Sequence, residues 1–141
     1  MPAFVRLTQV TETAIDAQKI QALVSDSTTG AVVVFSGDVR DHDHGRSVVS
    51  LTYEAHPSAQ EVLETVVNGF AARSDATAIA AAHRVGEIPI GQAALIVAVG
   101  SAHRGDAFSA AAALVDLIKE KLPVWKHQYF ADGSDEWVNC A

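Results

Sequence analysis

Four short segments gather residues able to do chemistry. The first runs Arg40-Asp41-His42-Asp43-His44-Gly45-Arg46. Alternating His and Asp could bind a metal. A flexible loop of this kind needs further ligands that the sequence does not place, and a solvated hairpin tip accounts for the same residues. Arg40 stands apart, because it ends an apolar strand, a rigid platform for a functional cation. The second segment, His83-Arg84-Val85-Gly86, ends another strand. A structural role there, with pairing to Glu87 or to a carbonyl, is favoured over direct catalysis.

The third segment is Ser101-Ala102-His103-Arg104-Gly105-Asp106, where a strand gives way to a long helix. Unpaired N–H groups at a helix start favour anions, and an adjacent His and Arg strengthen the preference. Ser101 and Asp106 are both good capping residues. Capping leaves the His103-Arg104 pair unexplained, so an anion site is preferred. The fourth segment is Lys119-Glu120-Lys121-Leu122-Pro123-Val124-Trp125-Lys126-His127. A charged run at a helix C-terminus ordinarily complements the dipole. On a helical wheel the expected buried stripe is Phe108, Ala111, Val115, Ile118 and Leu122, and Lys119 falls about 20° from Phe108, at its margin. Lys126 alternates with Trp125 in the next strand, so its stem is expected to pack against apolar neighbours. A lysine so placed can have a lowered pKa and act as base or nucleophile.

The elements that must position these residues follow from periodicity. Phe4–Leu7 reads as a strand and Asp16–Val24 as a short helix, with Ile20, Leu23 and Val24 on one face. Ala31–Val39 is rich in branched and aromatic residues and apolar on both faces, the pattern of an interior strand. Val48–Ala55 is a second strand, and the two are expected to form a hairpin around the loop Arg40–Ser47. Pro57 opens a helix to about Arg73. Thr77–Val85 and Ala93–Gly100 are further strands. A long helix spans about Asp106 to Leu122 and stops at Pro123. Val124–Phe130 and Glu136–Asn139 complete the strands. The expected class is α+β, three helices on a mostly antiparallel sheet.

The chain has 141 residues, enough for one domain over residues 1–141 with a single core. Ten Lys+Arg against 17 Asp+Glu give a formal charge of −7, a surface that repels nucleic acid and anionic membrane unless a local patch reverses the sign. The one cysteine, Cys140, allows neither an internal disulfide nor a multi-thiolate zinc site. No signal peptide is visible at the N-terminus. The longest apolar stretches, Ala31–Phe35 and Ala93–Val99, fall far short of the roughly 20 residues of a spanning helix. A cytoplasmic protein without metal or cofactor is expected.

Gly37-x-Val39-Arg40, Tyr53-Glu54-Ala55, His83-Arg84-Val85-Gly86, Ser101-Ala102-His103-Arg104 and Lys119-x-x-x-Pro123-x-Trp125-Lys126 occur in this order. With these motifs in register, the sequence resembles the large, catalytic subunit family of molybdopterin synthase over most of its length. The resemblance implies an α/β hammerhead fold and a part in making molybdopterin, the dithiolene pterin that holds molybdenum. The implied substrate is cyclic pyranopterin monophosphate (precursor Z). Two sulfur atoms enter and the cyclic phosphate opens to a terminal one. The implied sulfur donor is a thiocarboxylate on the C-terminal glycine of a small ubiquitin-like subunit. The implied assembly is a heterotetramer, a central homodimer with one small subunit at each end. By position, Lys119 and Lys126 match the catalytic lysines, and Arg40, His103 and Arg104 match the pocket for the pterin phosphate.

Helix geometry adds a constraint of its own. Arg104 and Lys119 bracket one helix, and fifteen residues separate them by roughly 22 Å. Either the two ends serve different sites, or one pocket combines Lys119 and Lys126 of one chain with His103 and Arg104 of its dimer mate. Family members often continue past the last Trp-Val with basic residues, whereas here no Arg or Lys follows Lys126. Arg46 is the residue considered as a substitute. Two other classes compete: a phosphate-ester hydrolase, for which no nucleophile or metal set is evident, and a non-catalytic scaffold that only holds a phosphate or pterin ligand. Cys140 lies outside every motif, so the sulfur is expected to come from a partner.

Overall fold

Alternation along a single strand decides the layering. In β5 (Ala78–Arg84), Ile79 and Ala81 point to one face and Ala78, Ala80 and Ala82 to the other, and both sets are buried. A strand buried on both sides must carry helices on both sides. The computed structural model, which describes residues 2–139, supplies them. Helices α2 (Ala59–Ala71) and α3 (Arg104–Lys121) bring Leu63, Val67, Leu114 and Ile118 to the Ile79 face. Helix α1 (Ala17–Leu23) brings Ile20 to the other, with Val24 just beyond its end. Asp16 caps α1 by accepting from the Gln18 and Lys19 N–H groups.

The first sheet has the order β1-β5-β7-β2, with β1 (Phe4–Thr11), β7 (Ala93–Ser101) and β2 (Ala31–Asp38) around β5. Only β1 and β5 run parallel. The second sheet is built on β3 (His42–Asp43), β4 (Arg46–Ala55), β8 (Val124–Phe130) and β9 (Asp135–Val138), with β6 (Gly86–Glu87) also paired to β4. The expected α+β class is thus what the chain adopts, with three helices and mostly antiparallel strands divided between two sheets among the described residues.

Three expectations are corrected. Ala31–Val39 and Val48–Ala55 do not form a hairpin, because β2 pairs with β7 and β4 with β8. The chain leaves the first sheet after a register shift at Gly37/Asp38. The true hairpin is β3/β4, turned by His44 and Gly45 at φ 50° and 78°. A two-residue turn with both φ values positive matches the strand twist. Secondly, β2 is an edge strand. Its two apolar faces reflect helices on both sides: Val33 and Phe35 pack toward the α2/α3 core, Val32 and Val34 toward α1. Thirdly, Phe108 is 62% exposed, and the buried stripe of α3 is Ala107, Ala110, Ala111, Leu114, Val115 and Ile118. Small alanines, not the aromatic, set that contact.

Close approach makes Gly30 and Gly100 sensitive. A Cβ on Gly100 in β7 would collide with the carbonyl oxygen of Val24 at the end of α1. Gly100→Ala is expected to cost about 1–3 kcal/mol, read as a lowered midpoint in urea unfolding. Among the described residues, no helix is long and apolar enough to cross a membrane.

Candidate active site

Where α3 ends, elements of both sheets converge with it on one cavity of about 160 Å³. Lys119 reaches it from the last turn of α3, where a cation also complements the helix dipole. Leu122 then turns extended, as the residue before a proline must, and the chain enters β8. In β8, Lys126 lies opposite Tyr53 of β4 and Gln128 opposite Leu51. Facing residues of an antiparallel pair share a side of the sheet, and all four line the cavity. Arg40 follows Val39, which is pinned by two backbone bonds: its N–H donates to the Gln92 carbonyl at 2.9 Å and its carbonyl accepts from the Gly91 N–H at 2.6 Å. Arg40 is thereby held at the cavity wall.

Asp43 organises that wall. Its carboxylate accepts from Arg40 Nη2 at 3.2 Å and from Gln128 Nε2 at 2.9 Å. The Gln128 hydrogen bond, opposed by burial and helped by neighbouring His44 and Lys126 and by the Arg40 hydrogen bond, holds the Asp43 carboxyl below the usual carboxylate range. Asp43 steadies Arg40, and with Asp38 also on the wall the three basic side chains Arg40, Lys119 and Lys126 still outnumber the two acidic ones.

Behind Tyr53 lies His83. Its ring meets the Tyr53 ring edge-on, with centroids 4.8 Å apart. Nδ1 is 2.8 Å from the Arg84 carbonyl, which can only accept, so Nδ1 carries the proton. Burial pushes the His83 pKa down to about 4; the carbonyl opposes this and the Lys119 charge adds to it. The native state therefore binds fewer protons than the unfolded chain between about pH 4 and 6.5, and stability must fall as pH drops through that window. The expected loss is on the order of 3 kcal/mol from this group. Urea unfolding from pH 7 to 4 checks it, and His83→Phe should flatten the corresponding part of the slope.

The structure brings together three of the five expected site residues, Arg40, Lys119 and Lys126. His103 and Arg104 are not among them. His103 is the N-cap residue of α3, without a side-chain capping bond, and Arg104 opens the helix. Both are exposed, at the end opposite Lys119. Ser101, considered as a cap, is buried, and its Oγ has no hydrogen-bond partner among the described residues. Arg46 does not serve the cavity: it lies over the Phe130 ring at 3.7 Å and bonds Ser134 at the β8–β9 turn. The Asp41–His44 segment forms β3 and the start of its turn, and among the described residues no group of three or more His, Cys, Asp or Glu could hold a metal ion. Cys140 lies outside the described residues. Asp43 and Gln128 are the wall residues whose role sequence reasoning missed. For Gln128 the available sign was its place two residues after Lys126 in one strand.

Comparison with known proteins gives these features a family. The family model described as MoaE protein matches residues 10–121. Molybdopterin synthase catalytic subunit 1 of Mycobacterium tuberculosis is 34% identical over 131 residues, covering 92% of this chain and 88% of that protein. The crystal structure of molybdopterin synthase from Staphylococcus aureus superposes with a TM-score of 0.84 at 31% identity, covering 95% of this chain and 97% of that one. A chain in a complex of subunits 1 and 2 of molybdopterin-converting factor from Helicobacter pylori shares the fold, with a TM-score of 0.68 at 18% identity. With the family model spanning most of its length and relatives of this kind matching nearly end to end, the chain belongs to the MoaE family, that of the molybdopterin synthase catalytic subunits.

Proposed function

We propose that this chain is a catalytic subunit that transfers sulfur from the thiocarboxylated C-terminus of a small ubiquitin-like subunit to cyclic pyranopterin monophosphate, forming the molybdopterin dithiolene. The observation that carries this reading is the convergence of Lys119, Lys126 and Arg40 on one cavity in a chain of net charge −7. A local reversal of sign is what a phosphorylated substrate and an anionic thiocarboxylate need. Lys119 meets the thiocarboxylate end and the reacting carbons, as general acid/base or as electrostatic stabiliser. Lys126, half-buried beside it, holds the anionic intermediates. Arg40 offers phosphate a planar fork of donors.

The site is completed by a second copy. A cavity of about 160 Å³ is small for a tricyclic pterin phosphate, since pockets for ligands of that size run to about 300–1,000 Å³. His103 and Arg104 lie too far along α3 to reach the same substrate within one chain. In a homodimer, the mate's His103 and Arg104 extend the pocket and bind the terminal phosphate. The assembly is then a cytoplasmic heterotetramer, a homodimer of these single-domain chains with one small subunit per cavity. Incubation with precursor Z and the thiocarboxylated small subunit tests the reading. Dithiolene is the expected product, and its absence with an authentic partner overturns the assignment.

A further inference from the structure

Behind the Tyr53 wall of the cavity, one buried polar atom has no partner among the described residues. On the inward face of β5, Ile79 and Ala81 are apolar, and the third residue, His83 behind Tyr53, is polar. Its side chain is fully buried. Nδ1–H is committed to the Arg84 carbonyl, which fixes the tautomer and leaves Nε2 as a lone pair. That lone pair has no hydrogen-bond partner among the described residues. A buried acceptor left empty lowers stability, and an apolar residue of similar size would avoid the cost. Such a group calls for a role in some other state of the molecule.

The surroundings indicate that role. The ring supports Tyr53 edge-on, and the Lys119 charge is one of the causes that lower the His83 pKa. Tyr53 and Lys119 both line the cavity. When substrate and the partner's tail fill that space, the Lys119 ammonium loses water and must direct its three N–H bonds to fixed acceptors. A neutral imidazole is a suitable one: it orients the ammonium without adding a negative charge that would repel a thiocarboxylate.

We propose that His83 is a positioning residue of the sulfur-transfer site, its Nε2 lone pair accepting a hydrogen bond from Lys119 once the cavity is filled. This rests on the sulfur-transfer reading above. His83 stays behind Tyr53, away from the substrate, and acts only through the lysine.

The test uses the complete enzyme with its thiocarboxylated small subunit. His83→Phe keeps the ring volume and removes both nitrogens. It should lower kcat about 10- to 100-fold, the size of one hydrogen bond to a charged group, with KM for precursor Z unchanged. His83→Gln places an amide oxygen near the Nε2 position and should restore most of the rate. A wild-type kcat in His83→Phe, or equal impairment of the two variants, would overturn the proposal. If His83→Phe fails to fold, imidazole ¹⁵N NMR of the unsubstituted complex decides. The Nε2 resonance should move toward its hydrogen-bonded position when the small subunit and precursor Z are added, and should not move in Lys119→Ala. An unmoved resonance in the loaded wild type overturns the proposal even where activity is absent. Lack of dithiolene from the wild type counts against the functional reading instead.

Discussion

Lys119→Ala is expected to cut dithiolene formation by about 10²- to 10⁴-fold while leaving precursor Z binding within a few-fold of wild type. The position is exposed in the last turn of α3, and alanine is the best helix former, so the fold should survive. The loss therefore reports on chemistry. An ammonium that stabilises charge developing at the carbonyl and sulfur acts in the transition state, so its removal lowers kcat and kcat/KM together. Lys119→Arg separates the two roles open to the residue. Arginine keeps the positive charge but cannot give up a proton at any working pH. Partial activity would identify electrostatic stabilisation, and activity as low as in Lys119→Ala would identify proton transfer. A binding scaffold would instead show altered pterin affinity and no turnover to lose.

Mixing two inactive chains should restore activity. Lys119→Ala and His103→Ala homodimers each lack one half of every site. A heterodimer of the two carries one cavity with both defects and one with neither, because the two-fold axis exchanges the contributions. With statistical exchange, about a quarter of the wild-type sites should return. The physical basis is the length of α3: its 18 residues hold Arg104 and Lys119 at opposite ends of a rigid rod. Measuring dithiolene formation across mixing ratios gives the curve. Activity no greater than the sum of the two homodimers would mean that each chain builds its site alone.

Much of this molecule is legible in its residues, for reasons that differ by element. The three helices follow from spacing and stop signals, Asp16 before α1 and Pro123 after α3 being the clearest. Strand positions follow from branched runs, but strand partners do not. Nothing local in Ala31–Val39 says that it pairs with Ala93–Ser101, some 60 residues away, in place of the strand that follows. The two-residue turn at His44-Gly45 is a local sign of the real hairpin. Phe108 misleads because size, not hydrophobicity, sets this contact: α3 approaches the sheet through alanines. At the site, Lys119, Lys126 and Arg40 are visible through motif and spacing. Asp43 and Gln128 are not, since their hydrogen bond joins residues 85 apart. The strand-end position of His83 points to a structural pairing with a carbonyl, which its Nδ1 makes; the unpartnered Nε2 emerges only from the packed structure.

The origin of the sulfur is the central claim, and isotope tracing tests it most directly. The small subunit is prepared with labelled sulfur in its C-terminal thiocarboxylate and incubated with precursor Z and this chain. The account predicts label at both dithiolene positions with the wild type and equally with Cys140→Ser, and no labelled product above background with Lys119→Ala. Unlabelled dithiolene, a requirement for Cys140, or full transfer in the Lys119 variant would contradict it.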